Sequence, residues 1–250
     1  MTYDHKKVAL ISGGSSGIGR ALVVEFLNQG YQVVSVDKTP FEQKDQLKPT
    51  ILKNLICEIA DLSNASIITN LIQELIAKLK KVDVLINNAA DDFRHGFTTI
   101  SLEEWDRRIR NNLSHYFIMT QKVGEIMAKQ GHGSIINISS ICAYQSTSAY
   151  PAYSTSKSAI IGLTRAAARE FGEQNVRVNA IMPGWILTKK QQQLWVTPKS
   201  LTRQIELQCL KRSLEPNDLI GPCNFLSSDA SAAITGQCLS VDGGATGTNP

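Results

Sequence analysis

Seven short apolar runs, separated by helix-periodic stretches, constrain this chain more than any other feature. They are Val8 to Ile11, Gln32 to Val36, Leu55 to Ile59, Val82 to Ile86, Ser134 to Ser139, Val176 to Met182 and Cys238 to Val241. Each is mostly apolar and does not alternate cleanly, the pattern of strands covered on both faces in a parallel sheet. Helices are predicted between them. Ile18 to Asn28 ends at Gly30, a C-cap candidate. Ala65 to Leu79 carries Ile68, Leu71, Ile72, Leu75, Ile76 and Leu79, the spacing of one buried face. Leu102 to Lys129 reads as two helices or one bent one, and Tyr153 to Phe171 is apolar over much of its circumference. Repeated β-α-β units predict an α/β fold, a doubly wound seven-stranded parallel sheet with helices on both faces. No linker or low-complexity stretch divides residues 1–250, so one domain is expected. Residues 188–211 are polar and lack a strand; a helical insertion, a lid over substrate, is expected there.

Composition excludes several classes of function. The net charge of +4 is mild and no basic run occurs, which argues against nucleic-acid binding. No apolar stretch spans a bilayer, and Met1 to Lys7 lacks the apolar region of a signal peptide. Cys57, Cys142, Cys209, Cys223 and Cys238 are scattered and odd in number, as free thiols of a cytoplasmic protein would be. The four histidines show no metal-ligand spacing, so no catalytic metal is expected.

After the first strand comes Ser12-Gly13-Gly14-Ser15-Ser16-Gly17-Ile18-Gly19, opening a helix. Glycines permit the tight turn and a close backbone approach, and the helix N-terminus offers free N–H groups to a pyrophosphate. A flexible strand-to-helix loop is the alternative. No Gly-Lys-Ser/Thr ending follows, which argues against a nucleoside-triphosphate loop. Asp37 ends the second strand, where a carboxylate can accept both hydroxyls of an adenosine ribose and would repel a 2′-phosphate. NAD is therefore predicted over NADP, although Arg20 and Lys38 leave NADP open. Asp61 and Leu62, after the third strand, stand where an adenine edge could be read.

Tyr153 and Lys157 are one turn apart on a predicted helix and share a face. Ser140 ends the fifth strand at the same sheet edge as the glycine cluster. Alcohol oxidation removes a hydroxyl proton while hydride leaves carbon. A tyrosine of pKa about 10 needs nearby positive charge, from Lys157 and a nicotinium ring, to act as base. Ser140 could hold the same substrate oxygen, and Lys157 could grip the nicotinamide ribose. A Tyr and Lys at this spacing would alone be a surface pair; the strand-end Ser and the upstream glycines make the case for a nicotinamide-dependent oxidoreductase.

These residues resemble the short-chain dehydrogenase/reductase family over nearly the whole chain, through Gly13 to Gly19, Asp61, Asn87-Asn88-Ala89, Asn112-Leu113, Ser140, Tyr153-x-x-x-Lys157, Pro183-Gly184 and Val241-Asp242-Gly243-Gly244. The resemblance implies a Rossmann-like fold and a homotetramer packed through two long helices. It implies that Asn112 holds a water leading to Lys157. It places Gly13, Ser15, Gly17, Ile18, Gly19, Asp37, Asp61, Leu62, Asn88, Ala89, Tyr153, Lys157, Pro183, Gly184, Ile186 and Thr188 around the dinucleotide. Two departures stand out. Ser12 replaces the usual Thr, and Ala90 replaces the Gly of Asn-Asn-Ala-Gly, tolerable if its φ is negative.

Within the family, the chain is similar to galactose-type sugar 1-dehydrogenases at Asp91 to His95, Asn112 to Phe117 and Pro183 to Gln191. That implies oxidation of an aldose at C1 to the lactone. A pocket reading several hydroxyls needs several polar side chains; Asp92, Arg94, His95, Ser140, Gln145, Trp185 and Gln191 are the candidates. A surface loop for Asp92 to His95, and plain packing for Trp185, remain alternatives. So do an NADPH-dependent reductase of 3-oxoacyl thioesters or another ketone, and a non-catalytic dinucleotide sensor.

Overall fold

A computed structural model describes residues 6–145 and 149–247. Met1 to His5 of the N-terminal segment lie outside the described residues. The strands are β1 (Val8–Ser12), β2 (Gln32–Asp37), β3 (Leu55–Ile59), β4 (Val84–Asn87), β5 (Gly133–Ile138), β6 (Val176–Pro183) and β7 (Cys238–Val241). The helices are α1 (Gly17–Asn28), α2 (Pro49–Leu52), α3 (Ala65–Leu79), α4 (Leu102–Ile109), α5 (His115–Gln130), α6 (Pro151–Phe171), α7 (Lys189–Leu194), α8 (Pro198–Leu207) and α9 (Ile220–Ser227). All seven strands pair in parallel in the order β3-β2-β1-β4-β5-β6-β7. The order reverses between β1 and β4, which opens a crevice at the carboxyl ends of the strands.

The period of two along each strand divides the core. Val8, Leu10, Val34 and Val36 face Ile68, Ile72 and Leu75 of α3 and Met119, Val123 and Met127 of α5. Ala9, Ile11 and Val33 face Leu22, Val23, Phe26 and Leu27 of α1 with Leu219 and Leu226. Mostly apolar runs are thus what two covered faces require. The edge strands depart from that expectation: β3 is half-buried and β7 leaves Leu239 exposed, because an outer strand has a neighbour on one side only. Val82 falls outside β4 because the Gln130 side chain, not a strand, bonds its N–H and its carbonyl at 2.9 Å each. Gly30 follows α1 with φ +86°, the left-handed position that glycine takes past a helix end.

The long stretch from Leu102 is two α-helices joined without a loop. Between α4 and α5, Arg110–Ser114 forms a π-helical segment, a distortion common at functional sites. Residues 188–211 contain α7 and α8 and are helical. Among the described residues no helix is long and apolar enough to cross a membrane.

Candidate active site

At the crevice floor, glycine is dictated by contact. Gly13 has φ +64°, and a Cβ there would lie 2.7 Å from the Ala89 Cα. A Cβ on Gly19 would meet the Gly13 carbonyl oxygen at 1.9 Å. The N-cap of α1, Ser16, makes no side-chain cap, and no acidic residue lies in the first turn. The opening N–H groups and their partial positive charge therefore face the crevice uncompensated by side chains, which fits a pyrophosphate. Ser12 shows why a hydroxyl suffices at its position. Its Oγ accepts the N–H groups of Asn88 at 3.0 Å and Ala89 at 3.2 Å. The Asn88 amide returns bonds to the Ser12 and Gly13 carbonyls at 3.2 and 3.0 Å. Ala90 is not among the positive-φ residues, so its methyl fits without left-handed strain.

The Asp37 carboxylate accepts the N–H of Ser15 at 3.1 Å and of Thr39 at 3.2 Å, at the rim of this turn. The Ser15 hydroxyl donates to the Thr39 carbonyl at 2.8 Å. Arg20 is turned aside: its Nε donates to the Glu42 carbonyl at 2.9 Å and its guanidinium lies over the Phe41 ring. Asp61 is exposed, and its bonds with Ser63 hold its carboxyl below the ordinary value; Leu62 is buried. On the opposite wall, Pro183 ends β6, Gly184 donates to the Val241 carbonyl at 3.0 Å, and Ile186 is buried beside Leu214. The Thr188 Cγ2 would lie 3.0 Å from a Cβ on Gly17, so this wall leans over the same turn that Ile18 continues.

Ser140, Tyr153 and Lys157 converge at the end of β5. The Ser140 hydroxyl lies beside the Tyr153 phenol. Burial pushes the phenol well above its ordinary value, Cys142, Asp92 and Tyr116 add to that, and Ser140 opposes it. Lys157 is only 1% exposed, and burial pushes its amine down to about 7. Its Nζ donates to the Ile138 carbonyl at 2.7 Å and to the Tyr116 hydroxyl at 3.1 Å. Asn112 is fully buried in the π-helical segment. Its amide is engaged by backbone: Oδ1 accepts the Asp91 N–H at 2.8 Å, and Nδ2 donates to the Asp91 and Arg108 carbonyls at 3.1 and 3.0 Å.

The segment after β4 is held from α4, the π-helical segment and α5. Beyond the Asn112 bonds, Arg108 pairs with the Asp91 carboxylate at 2.6 Å, and His115 Nε2 donates to the Ala89 carbonyl at 3.1 Å. Burial drives His115 down to about 3, so it is neutral. This scaffold leaves Asp92 facing residues 185–195. Burial raises the Asp92 carboxyl, but Lys190, with Nζ at 2.6 Å, and the Gln191 amide outweigh it and lower it overall. The Gln191 carbonyl oxygen accepts the Trp185 indole N–H at 2.7 Å. Arg94 stacks on the Trp195 ring at 4.2 Å. His95 donates from Nδ1 to the Phe93 carbonyl at 3.1 Å and accepts the Ala152 N–H at Nε2 at 3.4 Å, bracing the first turn of α6. Gln145 is half-buried just after the Ser140 turn.

The candidate residues thus gather along one edge, joined by four neighbours given no individual role in the sequence reading: Tyr116, Arg108, His115 and Lys190. Tyr116 carried a legible signal. It is buried on α5 with Met119, Val123 and Met127, and a buried phenol there needs a polar partner.

A family model described as Enoyl-(Acyl carrier protein) reductase matches residues 13–246. The chain is 45% identical over 240 residues to the "Probable galactose dehydrogenase GalD" of Rhizobium meliloti, covering 94% of this chain and 93% of that protein. It is similar to the structure of a 4-hydroxyisoleucine dehydrogenase complexed with NADH, at 32% identity and TM-score 0.91, covering 98% of this chain and 100% of that one. A structure from Beutenbergia cavernae that holds NADP at low occupancy matches at 31% identity and TM-score 0.88, covering 98% and 99%. With its sheet order, glycine turn and Ser-Tyr-Lys edge, the chain belongs to the short-chain dehydrogenase/reductase family and is an NAD(P)-dependent oxidoreductase acting on CH–OH groups.

Proposed function

We propose that the protein is an NAD-dependent aldose 1-dehydrogenase. The observation that carries this reading is the run of polar groups beside Tyr153: Asp92, Lys190, Gln191 and Trp185. A ketoacyl thioester offers few hydroxyls to such a set, whereas a sugar offers one at nearly every carbon. The 45% identity to a protein named as a galactose dehydrogenase supports the same substrate class. Arg94 on Trp195 and Lys190 on Asp92 tie residues 188–211 to the loop after β4, so this insertion would close over the sugar as a lid. Exposed Ala159, Gly162 and Ala166 of α6, with Phe117 of α5, form the face through which copies would assemble as a tetramer.

Gly13, Ser15, Gly17, Ile18 and Gly19 would hold the pyrophosphate, with Asp37 on the adenosine ribose. Asp61, Leu62, Asn88 and Ala89 would line the adenosine side, and Pro183, Gly184, Ile186 and Thr188 the nicotinamide side. NAD, when bound, accepts the hydride and brings a positive ring charge to the groove. That charge is needed, because burial alone keeps Tyr153 protonated. Tyr153 takes the C1 hydroxyl proton as hydride leaves C1, and the C1–O bond becomes the lactone carbonyl. Ser140 donates to the same oxygen and holds it in line. Lys157 supplies charge beneath the phenolate, and Asn112, through the main chain of the π-helical segment, supports a water on the path from Lys157.

Purified protein is mixed with NAD or NADP and a panel of aldoses, polyols and secondary alcohols, and absorbance of reduced nicotinamide is followed. Reduction of NAD with at least one aldose is expected. No aldose turnover, with NADPH-dependent reduction of 3-oxoacyl thioesters instead, would overturn the reading. For the cofactor, Asp37→Ala should weaken NAD by about tenfold or more, through loss of charge-assisted bonds to the ribose, and NADP much less. Arg20, held on Glu42 and Phe41, is not poised for a 2′-phosphate. Equal weakening in titrations of both cofactors would mean that Asp37 does not read the ribose.

A further inference from the structure

We propose that Tyr116 is a positioning residue whose buried phenol oxygen fixes the Lys157 Nζ beneath Tyr153. The inference rests on the acid–base roles of Tyr153 and Lys157 proposed above. Tyr116 is the second residue of α5, in its first turn after the π-helical segment, and is fully buried. Its O–H donates to the Ile138 carbonyl at 2.9 Å. That bond sets the hydroxyl orientation and turns a lone pair toward Lys157, whose Nζ donates to it at 3.1 Å. Nζ also donates to the Ile138 carbonyl at 2.7 Å. The amine, the phenol and one main-chain oxygen of β5 therefore form a closed triangle. Nζ lies 5.0 Å from the Tyr116 ring centroid and 5.5 Å from that of Tyr153, between the two rings.

Packing does not require a phenol at this position. Further along the buried side of α5 stand Met119, Val123 and Met127, without a hydroxyl, and Thr120, whose hydroxyl accepts the Asn87 amide at 3.1 Å. A buried hydroxyl without partners is destabilising, so a polar residue here needs a reason. The Asn112 amide, one turn earlier, is bonded to Asp91 and Arg108. The titratable groups facing Lys157 are Tyr116 and His115 on α5, Tyr153 on α6, Cys142 after β5 and Asp92 after β4. His115 is neutral, and Asp92 already pairs with Lys190. On the α5 side, the Tyr116 oxygen and the Ile138 carbonyl are the acceptors that Nζ reaches. Removing the phenol oxygen leaves a buried ammonium with one of these acceptors, which disfavours its charged form and hence the phenolate above it.

Tyr116→Phe keeps the ring and removes only the oxygen. With NAD and the best aldose of the panel, kcat at pH 7 should fall about tenfold or more, while KM for the sugar changes less than about threefold. The pH giving half-maximal kcat for oxidation should rise by about one unit, the equivalent of that tenfold loss. A merely structural role would change thermal stability and leave the pH profile in place, so a profile superimposable on wild type overturns the proposal. A measurement on the unaltered protein applies even if the variant does not fold. With 13C at the tyrosine Cζ, the Tyr116 resonance should shift as Lys157 loses its proton near pH 7. A Tyr116 resonance that is flat from about pH 5 to 9, outside the ordinary range of tyrosine titration, also overturns it. An active Tyr153→Phe protein would instead remove the mechanism on which the inference rests. An inactive Tyr153→Phe beside an unshifted Tyr116→Phe would sink this inference alone.

Discussion

Tyr153→Phe is expected to lower kcat for alcohol oxidation by about a thousandfold while NAD affinity stays within about threefold of wild type. The substitution removes only the oxygen that accepts the C1 proton under the proposed mechanism. The ring stays packed edge-on against Tyr150, with centroids 5.6 Å apart. Lys157 keeps both of its acceptors, Ile138 and Tyr116. Ser140 remains near the substrate oxygen but has no base to pass the proton to. The loss should appear in kcat and in kcat/KM alike, because the missing interaction belongs to the transition state. Steady-state kinetics alongside NAD titration separates the two quantities. A phenylalanine variant with near wild-type turnover would mean that another group takes the proton.

Lys157→Met should abolish turnover and at the same time stabilise the cofactor-free protein. Burial pushes the amine from an ordinary 10.5 down to about 7 at a site only 1% exposed. Between those values the unfolded chain binds more protons than the folded one, so stability rises with pH through that window. At pH 7 the buried amine therefore costs on the order of 3–5 kcal/mol relative to its value in water. Methionine fills a similar shape without that penalty, and the Ile138 carbonyl stays paired with the Tyr116 hydroxyl. Thermal unfolding at pH 7 should show a melting temperature higher by about 5–10 °C. The gain should shrink as pH is raised toward 10, where the native amine is neutral. A lower melting temperature at pH 7 would show that Lys157 contributes more in bonds than burial takes away. The expected opposition of stability and activity marks a group retained for chemistry.

Much of the fold was legible because it follows from local rules. A strand covered on both faces is mostly apolar, as Val8 to Ile11 and Ala180 to Met182 are. The glycine spacing alone marks a close turn, and a Cβ on Gly19 would strike the Gly13 carbonyl oxygen at 1.9 Å. Tyr153 and Lys157 share a helix face by arithmetic alone. Less was legible where the environment decides. The edge strands looked like central ones, since a run of apolar residues does not reveal how many neighbours it has. Arg94 and His95 looked like substrate residues. In the fold, Arg94 stacks on Trp195, and both His95 nitrogens bond to backbone.

Tyr153, Ser140, Lys157 and the glycine turn were determined by the sequence itself, because each depends on spacing within a strand, a helix or the turn between them. Only the tertiary structure decided how their protons are held. Lys157 meets Tyr116 across 41 positions of chain, and the Asn112 amide turns to Asp91 across 21. Periodicity carries no information over such distances. Burial, which moves the Lys157 amine to about 7, is a property of every element packed around it at once.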